Sequence, residues 1–104
     1  MIVTTSETIA EKKIVKTLGL VRGNTIRARH LGKDIMAGFR AIIGGEVTEY
    51  TKLMGESREQ AIDRMVQQAE ELGANAIVMA RLTTSMLMGG AAEIVAYGTA
   101  VVVE

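Results

Sequence analysis

Apolar positions along the chain change period twice. They run nearly continuously or alternate at the start, recur at steps of three and four through the middle, and return to short β-branched runs at the end. The opening "MIVTT" has the composition of a strand, and "SETIAEKK" after it reads as a turn region. "IVKTLGLVRGNTIRAR" then predicts either one long bent strand or a hairpin. A tight turn at "RGNT" would pair Ile14–Val21 with Thr25–Arg29; without it one strand runs through, and the bent strand is favoured. Gly19 and Gly23 inside this run point to a bulge, a bend or a close backbone approach.

In "HLGKDIMAGFRAIIGG" the period shifts to that of a helix, with Leu31, Ile35, Phe39 and Ile42 on one face. Gly38 within it suggests close packing against a neighbour, and Gly44-Gly45 ends it. Gly38, Gly44 and Gly45 are all expected to serve close backbone packing. "EVTEYTKLMGESREQAIDRMVQQAEELG" carries the strongest helical signal. Its stripe is Val47, Tyr50, Met54, Ala61, Met65, Ala69 and Leu72, with Arg58 as the one polar residue in phase. Gly55 and a capping box from Ser57 to Gln60 could break it, but the unbroken phase favours one long helix closed by Gly73. "ANAIVMARLTTSML" and "EIVAYGTAVVVE" predict two final strands around Gly89-Gly90, with both faces covered near Ile77–Ala80.

The order strands, helix, long helix, two strands predicts a two-layer α+β fold. A mostly antiparallel sheet would carry both helices on one face. At 104 residues the chain is one domain, 1–104. Only Phe39, Tyr50 and Tyr97 are aromatic, so the core must be aliphatic and methionine-rich. Met36, Met54, Met65 and Met79 fit the apolar stripes as core filler.

Charge changes the picture only locally. The 12 basic and 12 acidic residues cancel, which gives no electrostatic support for a nucleic-acid partner. Yet residues 1–40 hold eight bases against three acids, and residues 41–104 hold four against nine. Solvated faces account for this split, with complementary subunit contacts or an anion site as the alternatives. There is no cysteine, which excludes disulfides, thiolate metal sites and cysteine nucleophiles. The N-terminus lacks a signal pattern and no apolar run approaches the ~20 residues of a membrane span, so the expected location is cytoplasmic, away from membranes.

"AGFRAIIGGEVTEY", "SREQAIDRMVQQAEELGANAIVMARL" and "YGTAVVV" together resemble the YbjQ-like family, an uncharacterised group to which a heavy-metal-binding label is attached by inference. The resemblance covers nearly the whole chain. It implies a two-layer α+β fold and self-association into a ring-shaped homo-oligomer, a pentamer, and it implies no known activity. The absence of cysteine and the single histidine weaken the metal label, because soft ions prefer sulfur and then imidazole.

Each candidate group has an ordinary structural reading. His30, beside Arg29, Lys33 and Arg40, could help hold an anion at a helix N-terminus, or pair with Asp34, but a polar loop leading into a helix is the favoured reading. Neither GxGxxG nor a phosphate-loop pattern occurs. Glu46 and Glu49, with Tyr50 beside them, open the long helix, where its dipole favours carboxylates; repeated round a ring they could bind cations. Met86 and Met88, two apart on a strand, project from one face as a thioether pair would, or simply end a hydrophobic strand at a subunit contact. Thr83, Thr84 and Ser85 supply hydroxyls without a nucleophile elbow. The sequence therefore predicts an oligomeric binding or structural module with no catalytic residues and no cofactor. A metal ion or small anion bound between subunits is the alternative. An enzyme with an intersubunit site containing His30, Arg40 or Tyr50 is the third reading.

Overall fold

The computed structural model describes residues 1–28, 48–87 and 91–104. In chain order the elements are β1 (Ile2–Val3), β2 (Ile14–Ala28), α1 (Thr48–Glu71), β3 (Ala76–Met86) and β4 (Ala91–Val103). The helix expected over Leu31–Ile42 and the glycines Gly38, Gly44, Gly45, Gly89 and Gly90 lie outside the described residues.

The strands form one sheet in the order β1-β3-β4-β2. Both long pairings, β2 with β4 and β3 with β4, are antiparallel, whereas β1 runs parallel to β3. The sheet is therefore mixed, and among the described residues one helix covers it where two were expected. The short parallel strand arises because the N-terminal segment joins the edge of β3 beside residues that also pair with β4. It continues past β1 as a ribbon: the Thr4 amide donates to the Ile77 carbonyl at 2.9 Å, and the Ala80 amide to the Thr4 carbonyl at 3.0 Å.

Ile14–Ala28 is one strand, so "RGNT" is not a turn. Its register slips on both sides of Thr17, and Gly19 sits there at φ 114°, a backbone conformation that penalises a side chain. Gly23 answers a different need. A Cβ there would meet the Ala61 carbonyl oxygen, the Met65 amide nitrogen and the Arg64 Cβ, so the helix backbone rests directly on this strand.

The long helix runs unbroken through Gly55, as its phase required. It ends in a Schellman motif. The Ala74 amide reaches the Ala69 carbonyl at 3.0 Å, the Gly73 amide reaches the Glu70 carbonyl at 2.9 Å, and Gly73 takes φ 88°. Ala61, Met65 and Ala69 are buried against Val21, Ile77, Ile94, Ala96 and Ala100. Two parts of the predicted stripe differ. Ser57, not Arg58, is the buried polar residue, and Leu72 is 48% exposed. Leu72 is the last residue before the Gly73 turn that ends the helix.

Residues adjacent to those of the main core point to the other side of the sheet, as strand geometry demands. Ala76, Val78, Val101 and Val103 form a second apolar cluster there with Ile9 and Ile14. Both faces of the sheet are thus covered around Ile77–Ala80, with one exception. Met79, expected as core filler, is exposed and holds φ 56° at a register shift between Val78 and Arg81. The bulge turns its side chain away from the core that alternation alone would have given it.

Candidate functional site

The described side chains concentrate polar chemistry along one line, the seam between α1 and β2. Gln60, Arg64 and Gln68 are spaced by four, so they share one face of the helix. Gln60 Oε1 accepts from Arg27 Nη2 at 2.7 Å, Arg64 Nη1 donates to the Asn24 carbonyl at 2.6 Å, and the Arg22 amide donates to Gln68 Oε1 at 2.7 Å. Among the described residues β2 is an edge strand with β4 as its only strand neighbour. Arg64 and Gln68 therefore occupy backbone groups that a strand of another chain would otherwise pair with. Inside the seam, Thr25 Oγ1 meets both the Ser57 hydroxyl and the Ser57 carbonyl, the latter at 3.1 Å. Both residues are buried, and each satisfies the other's polar group. This is a locking device with no exposed reactive atom.

Beyond the seam, Arg27, Lys52, Glu56, Arg58, Glu59 and Asp63 line a shallow groove. Its three bases and three acids balance, and Arg27 is already engaged by Gln60. Nothing in it selects an ion of one sign.

The sheet face away from the helix is different. Register places Arg22 opposite Tyr97, and Tyr97 opposite Arg81, in one row across three strands. The Arg81 Nη1 donates to the Thr5 carbonyl at 2.8 Å and to the Ala80 carbonyl at 2.9 Å, tying the N-terminal segment to the sheet. Leu20 and Ile26 flank this row on β2 and are 68% and 58% exposed. At the far end of β3 every residue from Arg81 to Leu87 is exposed, including Leu82 and Met86.

The predicted site residues fare unequally. Met86 is the last residue of β3 and is 68% exposed, while Met88 lies outside the described residues. His30, Asp34, Arg40 and Glu46 also lie outside them; Glu49 and Tyr50 fall in the first turn of α1. Thr83, Thr84 and Ser85 lie exposed along β3, pointing to alternate faces. Among the described residues no group of three His, Cys, Asp or Glu side chains gathers to hold a metal ion. No helix among them is long and apolar enough to cross a membrane. Sequence reading missed the Gln60–Arg64–Gln68 row and the Leu20–Ile26 patch. The i, i+4, i+8 amide and guanidinium spacing was the signal for the first; the second has none, since "LVRGNTI" does not alternate between apolar and polar residues.

A sequence model of the YbjQ family, described as "Putative heavy-metal-binding", matches residues 1–104. The chain belongs to the YbjQ family. It is similar to a UPF0145 protein of Methanosarcina acetivorans, 62% identical over 101 residues that cover 97% of this chain and 95% of the relative. A UPF0145 protein of Dehalococcoides mccartyi is 58% identical over the whole of both chains. In three dimensions the chain is similar to a crystal structure of a protein of unknown function from the DUF74 family of Pediococcus pentosaceus. The TM-score is 0.71 at 14% identity, over 100% of this chain and 98% of that one, a likeness of fold. The heavy-metal description of YbjQ proteins meets a poor donor set in this member. With no cysteine and one histidine, soft ligation falls to thioethers.

Proposed function

We propose that this YbjQ chain is a subunit of a ring-forming homo-oligomer, a pentamer, that acts as a binding or structural module rather than through a catalytic site within one subunit. The observation that carries this reading is the sheet face that the described residues leave uncovered, where Leu20 and Ile26 on β2 stand 68% and 58% exposed. Burying an aliphatic side chain is worth roughly 1.5–3 kcal/mol, so such positions favour association. A contact that joins different surfaces of successive copies generates a closed ring if the rotation closes. Size-exclusion chromatography with light scattering tests the reading; a single-chain mass at micromolar concentration overturns it.

The family description favours a second reading, a metal ion shared between subunits. Met86 is the described thioether best placed for this, since one copy from each subunit could meet on a common axis. Titration with Cu(I) and Zn(II) tests it. Stoichiometric binding that Met86→Leu abolishes supports it, and absence of binding removes it.

A further inference from the structure

We draw no further inference here: the strongest candidate, the sheet face away from α1 where Leu20 and Arg22 on β2 stand beside Tyr97 on β4 and Arg81 on β3, carries nothing, because nothing in the structure shows what covers it and Arg81 is already tied to the Thr5 and Ala80 carbonyls.

Discussion

The two halves of β3 have opposite fates within one strand. Ala76, Ile77, Val78 and Ala80 are buried between α1 on one face and the Ile9–Ile14 cluster on the other, with β1 and the N-terminal ribbon along the edge. From Arg81 to Leu87 every residue is exposed, although pairing with β4 continues as far as Met86. Hydrogen bonding to one neighbour is thus enough to continue the strand, while burial depends on what lies above and below. The inner half is where stability resides. The outer half, like the face of β2 around Leu20 and Ile26, is left exposed by the described residues.

Ile77→Ala and Leu82→Ala probe this contrast most strongly. Ile77 is fully buried, and its truncation is expected to cost about 2–5 kcal/mol in urea unfolding at concentrations that keep the protein monomeric. Leu82→Ala should change that stability by no more than about 0.5 kcal/mol. Equal costs would mean that the two halves share one core.

The helix-to-sheet contact comes next. Gly23→Ala places a methyl group against the α1 backbone, which cannot yield as a side-chain tip could. Overpacking of this kind is expected to cost about 1–3 kcal/mol. Thr25→Val falls in the lower part of that range, since it strands the Ser57 hydroxyl in a buried site at about 1–2 kcal/mol. The double change Thr25→Val with Ser57→Ala should cost less than the sum of its parts, because each hydroxyl needs only the other. Strict additivity in denaturant titrations would refute the pairing.

The smallest effect is expected at Met79. A non-glycine residue at φ 56° carries about 1–2 kcal/mol of backbone strain, partly offset in glycine by unfolded-state entropy. Met79→Gly should therefore stabilise the fold slightly, by about 0.5 kcal/mol. A clear loss of stability would show that this exposed side chain makes a contact worth the strain.

How much of this is legible in the chain depends on whether a feature is local. Helix phase identifies Ala61, Met65 and Ala69, and survives Gly55, because the signal repeats over many turns. Gly19 and Gly23 stand out as special positions, because glycine weakens a strand unless its backbone freedom or missing Cβ is needed there. One serves its conformation and the other a close approach. Met79 and Leu72 mislead for the opposite reason. A bulge redirects one side chain, and the other stands half exposed at the turn that caps the helix; periodicity foretells neither. The parallel β1 is invisible in sequence, since two residues carry no orientation. For the site the yield is smaller. Met86 is locatable and exposed, but a surface made of Leu20, Arg22 and Ile26 carries no motif. Its meaning depends on which face the helix leaves bare.

If the bare sheet face of this YbjQ chain is an interface between copies, the mass of the protein in solution must show it. Light scattering on the eluting peak, at micromolar protein and low salt, reads that mass without labels or substitutions. An interface predicts one species at a whole multiple of the chain mass, five-fold for the pentameric ring. A single species at the mass of one chain would contradict it.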